Sequence, residues 1–249
     1  MPAQGLPLNG DENIIDIIAF DADDTLWHNE TLYASAQERF AGLLVPYSDE
    51  EQTRRALHET EVRNLRLYGY GIKGFGLSMI ETAIGLSKGR IGGQSIEPIL
   101  TLVKEMLEAP VELLDGVAEV IPVLAGFCRL MLVTMGDLRD QEVKLARSGL
   151  APYFSRVEIV REKSAEIYQA LLERHGIVPE RFLMVGNSLR SDVLPVIALG
   201  GHAVHIPYHI TWEHEAVPVP EDASERYVEL LHIGLLPAYV KRLCGPGQG

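Results

Sequence analysis

Three aspartates, a lysine, a threonine and an asparagine stand at the ends of hydrophobic runs, and their types and spacing define a chemistry. Asp21 and Asp23 close the run Ile14 to Phe20. Thr134 closes Arg129 to Thr134, and Lys163 follows Arg156 to Val160. Gly186-Asn187-Ser188 and Asp192 follow Phe182 to Val185. Two carboxylates as close as Asp21 and Asp23 repel, so the pair calls for a cation. Asp192 offers a third carboxylate, and Asn187 an oxygen ligand or a hydrogen bond to one. An all-oxygen set favours Mg²⁺, which keeps some waters and joins a substrate phosphate. Lys163 adds a fixed positive charge. The Thr134 hydroxyl and the backbone N–H groups of Met135 and Gly136 can hold anionic oxygens. Together these groups are the equipment of phosphoryl transfer: a nucleophile, cations and donors for the equatorial oxygens. A carboxylate nucleophile that forms an aspartyl-phosphate is one known covalent strategy.

The elements that must position these residues follow from the hydrophobic pattern. Ile14 to Phe20 is a β-branched run suited to a strand buried on both faces of a parallel sheet. Further strands are predicted at Arg129 to Thr134, Arg156 to Val160, Phe182 to Val185 and His202 to Ile206. Helices are predicted between them at Val117 to Phe127, Leu138 to Ser148, Ala165 to His175 and Asp192 to Leu199, with Gly149 and Gly176 as stops. This alternation predicts a doubly wound parallel α/β sheet. Such sheets bind ligands beyond the carboxyl ends of their strands, where all the residues named above fall. Residues 28–110 read as helical throughout, with helices at Thr31 to Leu44, from Ser48 or Asp49 to Leu67, at Leu77 to Ile84 and at Ile96 to Glu108. The expected organisation is an α/β core of residues 1–27 and 111–249, with an all-helical domain of residues 28–110 inserted after the first strand. The tail from Ala223 to Leu243 reads as largely helical.

Composition bounds the function classes. The 249 residues include 22 Lys plus Arg and 35 Asp plus Glu, a net charge of −13. That acidity argues against nucleic-acid binding through phosphate neutralisation and against a polybasic membrane anchor. No apolar run is long enough to span a bilayer, and Met1 to Glu12 is a polar tail without a signal-peptide pattern. A cytoplasmic protein is expected, acting on a small molecule as a monomer or homodimer. Two cysteines, Cys128 and Cys244, make no disulfide framework in a chain of this size.

The motifs resemble a known family. Phe20-Asp21-Ala22-Asp23-Asp24-Thr25-Leu26 resembles the first motif, DxDxT, of the haloacid dehalogenase-like (HAD) superfamily of hydrolases. Thr134 resembles its second motif, Lys163 its third, and Gly186 to Asp192 its fourth, in the family's order. The helical insertion resembles the cap of the phosphoglycolate-phosphatase-like branch. The resemblance implies a Rossmann-like core and a Mg²⁺-dependent phosphatase acting on a small phosphorylated metabolite. It assigns Asp21 as the nucleophile and Asp23 as the general acid and base. Thr134 would hold the phosphoryl group, and Lys163 would orient Asp21. Mg²⁺ would take the Asp21 carboxylate, the Asp23 carbonyl and Asp192, with Asn187 beside them. Haloacid dehalogenases lack a carboxylate at the position of Asp23, so its presence favours phosphate esters. A dehalogenase, a phosphomutase and a catalytically quiet binding relative are the alternative readings. The sequence departs from the family at Asn187, where Asp is commoner, and around Lys163, which no proline follows, so Arg161 is a rival for its role.

Other features have both a functional and a plain reading. Asp24 and Thr25 read as turn and capping residues. His202, His205, His209 and His214 cluster, but the odd spacing of the first two points them to opposite strand faces, against a zinc site. Tyr208, His209 and Trp212 are expected to wall the pocket. Gly69 to Gly76 reads as a flexible loop over the site, with Lys73 either meeting substrate or solvated. The charged stretch Asp49 to Arg66 reads as a solvated helix face.

Overall fold

The structure is a computed structural model that describes residues 15–210, 212, 217 and 226–243. Its centre is a six-stranded, all-parallel sheet in the order β3-β2-β1-β4-β5-β6. The strands are β1 (Ile17–Phe20), β2 (Arg129–Met135), β3 (Phe154–Val160), β4 (Phe182–Gly186), β5 (His202–His205) and β6 (Tyr227–Glu229). The expected doubly wound α/β fold is therefore present. The central strands are buried on both faces, which is why they read as continuous apolar runs. Alternate residues feed two separate cores. Ile18, Phe20, Leu132 and Val185 face one, with α5 (Val117–Ala125) and α9 (Leu236–Leu243) packed over it. Ile17, Ala19, Met131 and Met184 face the other, against α7 (Ala165–His175) and α8 (Leu194–Ala198).

The strand order reverses direction around β1, which pairs with β2 on one side and β4 on the other. That switch point is where an open α/β sheet forms its ligand crevice. Asp21 lies directly above it, with its backbone N–H bonded to the Val185 carbonyl at 2.9 Å.

Between β1 and α5 the chain forms α1 (Glu30–Leu44), α2 (Glu50–Tyr68), α3 (Ile72–Leu86) and α4 (Gly93–Glu108). These four helices share a hydrophobic cluster of their own, built on Phe40, Leu57, Phe75, Met79 and Leu102. Asp49 caps α2 by accepting the Gln52 N–H at 2.8 Å.

Three expectations are corrected. Gly69 to Gly76 is not a loop: only Gly69 to Gly71 interrupt the helices, and Gly74 and Gly76 lie buried in α3. Their role is close approach, because a Cβ on Gly76 would lie 2.5 Å from Val103 of α4. The tail holds a sixth strand, β6, which pairs with β5 through Val204 and Val228. The helix expected from Asp192 starts instead as a π-helical turn at Leu189–Val193, with α8 following. Cys128 packs half-buried against the core, whereas His214, Cys244 and the tail from Met1 to Glu12 lie outside the described residues. No helix among the described residues is long and apolar enough to cross a membrane.

Candidate active site

The strand ends bring Asp21, Asp23, Thr134, Met135, Lys163, Asn187 and Asp192 to the wall of one cavity of about 170 Å³. Gly136 is not among the residues that line it. Helices α1 to α3 close the opposite wall with Glu30, Tyr33, Glu61 and Phe75.

At the floor, Lys163 sits immediately before Ser164, whose side chain caps α7. Its ammonium pairs with Asp21 Oδ1, and with Asp192 Oδ1 at 2.6 Å. Lys163 is 7% exposed and Asp192 1%. Burial works against the Lys163 charge, but the Asp192 and Asp21 carboxylates outweigh it and hold the ammonium above the ordinary lysine range. Burial raises the Asp21 carboxyl, Lys163 opposes that rise, and Asp192 adds to it. Arg161 is exposed and does not line the cavity, so the geometry brings Lys163 and not its rival to Asp21.

Asp192 reaches this floor through a local device. Ser188 caps the π-helical turn by accepting the Ser191 N–H at 3.1 Å, and its own N–H donates to Asp192 Oδ2 at 3.0 Å. The Asp192 side chain folds back across Gly186, where a Cβ would lie 2.6 Å from its own Cβ.

Thr25 donates to Asp21 Oδ2 at 3.2 Å and so ties the first loop to Asp21. With its amide nitrogen turned inward, Asn187 meets three oxygens: Asp23 O and Asp21 Oδ2 at 3.2 Å, and Thr25 Oγ1 at 3.1 Å. Oxygens that converge on one donor in this way suit a cation. Among the described residues no three His, Cys, Asp or Glu side chains form a metal cluster. The available oxygen set is two carboxylates and a carbonyl, with the Asn187 amide beside them. That set fits Mg²⁺, which holds part of its shell as water. His205 is buried, with its Nε2 donating to the Asn187 carbonyl at 3.0 Å and its Nδ1 facing a Glu229 carboxylate oxygen at 3.1 Å.

Asp23 is gripped by residues that the sequence reading did not single out. Trp27 Nε1 donates to its Oδ1 at 2.7 Å, and Gln141 Nε2 to its Oδ2 at 2.7 Å. Lys144 Nζ lies 3.1 and 3.3 Å from the two oxygens and also donates to Asn29 Oδ1 at 2.9 Å. Gln141 and Lys144 lie three apart on α6 (Leu138–Ser148), the helix that follows Thr134. Their helical spacing was the available signal. Asp24 is a turn residue with φ +62°, and its carboxylate accepts the Asn29 and Glu30 N–H groups at 2.9 and 3.0 Å. Burial raises its pKa to about 6.

Of the three residues expected to wall the pocket, only Trp212 does so. Tyr208 is buried against His28 at 2.6 Å, and His209 is exposed. Lys73 neither lines the cavity nor is simply solvated, since it pairs with Asp137 of the core at 2.8 Å.

Residues 15–200 match the sequence profile of haloacid dehalogenase-like hydrolases. The chain belongs to that family. A crystallised HAD-like family hydrolase from Xanthomonas campestris is 40% identical, covering 95% of this chain and 94% of that one, with a TM-score of 0.84. Pyrimidine 5'-nucleotidase YjjG of Escherichia coli K12 is 25% identical over 195 residues, 74% of this chain and 83% of its own length. YfnB of Bacillus subtilis, assigned as a HAD-hydrolase and crystallised with magnesium, shares the fold at 17% identity, covering 91% of this chain and 98% of that one, with a TM-score of 0.64.

Proposed function

We propose that this HAD-family hydrolase is a Mg²⁺-dependent phosphomonoesterase acting on a small soluble ester through Asp21. One observation carries the reading: a second carboxylate, Asp23, lines the same cavity two residues after Asp21 and is held there by three donors. A dehalogenase has no use for that carboxylate, whereas ester cleavage needs an acid and then a base. The nucleotidase relative and the magnesium-bound neighbour support it.

In this reading an Asp21 carboxylate oxygen attacks phosphorus and the ester P–O bond breaks. Asp23 gives its proton to the leaving oxygen, and an alcohol departs. A water molecule then attacks the phosphorus of the aspartyl-phosphate, and Asp23 takes its proton. The P–O bond to Asp21 breaks, which releases phosphate and restores the carboxylate. One residue serves both proton transfers, as microscopic reversibility allows. Lys163 neutralises charge beside Asp21, and the unpartnered Thr134 hydroxyl is placed to bind a phosphoryl oxygen. Asp21, the Asp23 carbonyl and Asp192 would hold Mg²⁺, with Asn187 beside them. When bound, Mg²⁺ supplies positive charge against the transferring phosphoryl group. The helical insertion would act as a cap that covers the substrate.

The test is phosphate release from a panel of phosphomonoesters, with Mg²⁺ or with EDTA, for the wild type and Asp21→Asn. Turnover that requires both Mg²⁺ and Asp21 is expected. Turnover that survives in folded Asp21→Asn, or chloride release from haloacids in place of phosphate release, would overturn the reading.

A further inference from the structure

We infer that the pocket selects phosphate esters whose leaving group carries a protonated amine, with Glu30 and Glu61 as its counter-charges, and rejects those carrying a second anion. The inference rests on the phosphomonoesterase reading and adds the substrate class to it.

Charge is the first ground. Eight carboxylates and two lysines are among the residues that line the cavity, and no arginine is. Both lysines are already committed, Lys163 to Asp21 and Asp192, and Lys144 to Asp23 and Asp140. A divalent cation and a phosphate dianion cancel each other, so the acidic excess persists with substrate bound. The leaving group then faces a wall rich in carboxyl groups and finds no free cation among the described lining residues. A carboxylate or second phosphate there meets repulsion, and an ammonium meets attraction.

The second ground is the supply of unmet acceptors. Glu61 Oε2 is buried without a hydrogen-bond partner, and so is Gln141 Oε1, on a residue only 2% exposed. Gln141 spends its nitrogen on Asp23 and the Met135 carbonyl, so its oxygen is fixed as an acceptor. Buried acceptors left open in a cavity call for a ligand that brings donors. An ammonium brings three donors and no acceptor.

The wall opposite the floor adds the third ground. Glu30 opens α1 and Glu61 lies within α2, and neither side chain makes a hydrogen bond among the described residues. Burial raises Glu61 to about 7 and Glu30 to about 8, and Glu30 is raised further by the charges of Asp24 and Glu61. A bound cation relieves that cost. Aromatic rings flank the two carboxylates in the same lining. Tyr33 packs on Phe75 with centroids 5.0 Å apart, and Tyr70 meets Trp212 edge-on at 6.1 Å. Ring faces beside carboxylates form a recognised cradle for an organic ammonium.

The test compares esters of matched size: 2-aminoethyl phosphate, 2-hydroxyethyl phosphate and 2-phosphoglycolate. It also measures Mg²⁺-dependent binding of two non-hydrolysable ligands, 2-aminoethylphosphonate and phosphonoacetate, by calorimetry. The amine is expected to exceed the alcohol in kcat/KM by about tenfold or more, and the carboxylate by a larger factor. The phosphonates should bind in the same order. Glu30→Gln and Glu61→Gln should erase the preference through KM, and Glu61→Asp should retain most of it. Equal use of amine and alcohol, a preference for phosphoglycolate, or an unchanged ratio in both Gln variants would overturn the inference. Absence of phosphate release from every ester would refute the phosphatase reading instead, and the phosphonate affinities would still decide the charge preference.

Discussion

Gly186→Ala is a one-methyl perturbation that falls on the Asp192 side chain. Gly186 ends β4, and Asp192 folds its side chain across the face where a Cβ would project. That Cβ would lie 2.6 Å from the Asp192 Cβ, whereas ordinary contact begins at 3.4 Å. The Asp192 Cβ must therefore retreat by about 0.8 Å, and its carboxylate by more. The carboxylate is held by the 2.6 Å bond from Lys163 and the 3.0 Å bond from Ser188 N–H, so the retreat strains or breaks both. A misplacement of roughly 1 Å in a positioning group costs on the order of 10²-fold in rate. Overpacking adds about 1–3 kcal/mol of destabilisation. The expected outcome is a folded protein with a lowered melting temperature, a weakened Mg²⁺ dependence and a kcat reduced about 100-fold. The assay is phosphate release across a Mg²⁺ titration, with circular dichroism melts on the same samples. Wild-type kcat at wild-type Mg²⁺ concentration in a folded variant would show that Asp192 is not placed by the bare Gly186 backbone.

Three further outcomes are expected. Gln141→Leu removes a 2.7 Å donor from Asp23 and should lower kcat by about 10–100-fold on alkyl esters. Because p-nitrophenolate leaves without a proton, p-nitrophenyl phosphate should suffer less, and an equal loss on both substrates would contradict a role through Asp23. Lys163→Met leaves Asp21 and Asp192 facing each other in a buried site, which should abolish turnover and cost about 3–5 kcal/mol in urea unfolding; a stability loss under 1 kcal/mol would tell against the buried pair. Glu61 is raised by burial from 4.5 to about 7, so the folded state holds its proton more tightly than the unfolded chain. Its contribution to stability is full below the unfolded value and is lost as pH rises through the folded one. Glu61→Gln should therefore be more stable than wild type by about 1–3 kcal/mol at pH 8, with the gap closing near pH 4.5; a gap that does not change with pH would remove the burial argument.

Much of the core was legible because buried parallel strands write themselves as unbroken apolar runs. β2 and β4 flank β1 in the sheet, and the carboxyl ends of these three strands name Asp21, Thr134 and the Asn187–Asp192 loop directly. Strand β6 was missed for the opposite reason. It is three half-exposed or exposed residues at a sheet edge, and only its pairing with β5 makes it a strand. Glycine misled in the segment Gly69 to Gly76. Two of those residues serve close packing, Gly76 against Val103 of α4 and Gly74 against Tyr68 and the Gly69 carbonyl at the end of α2, a role invisible in local sequence.

The opposite wall was illegible on different grounds. The buried face of α2 is Thr53, Leu57, Thr60 and Asn64, at helical spacing but with one apolar residue among four. Hydrophobic periodicity cannot detect a face of that kind, so the helix reads as solvated and Glu61 reads as one more surface acid. Of those four only Asn64 lines the cavity, and its amide also donates to Ser78 and Glu81 of α3, so the polar face makes sense only once α2 and α3 are packed together. The clasp on Asp23 follows the same logic, since Trp27, Gln141 and Lys144 come from a turn and a helix that meet only when α6 docks beside the first loop. Strand-end chemistry is thus readable one residue at a time, whereas the groups that restrain it are set by which helix faces the tertiary fold brings over the floor.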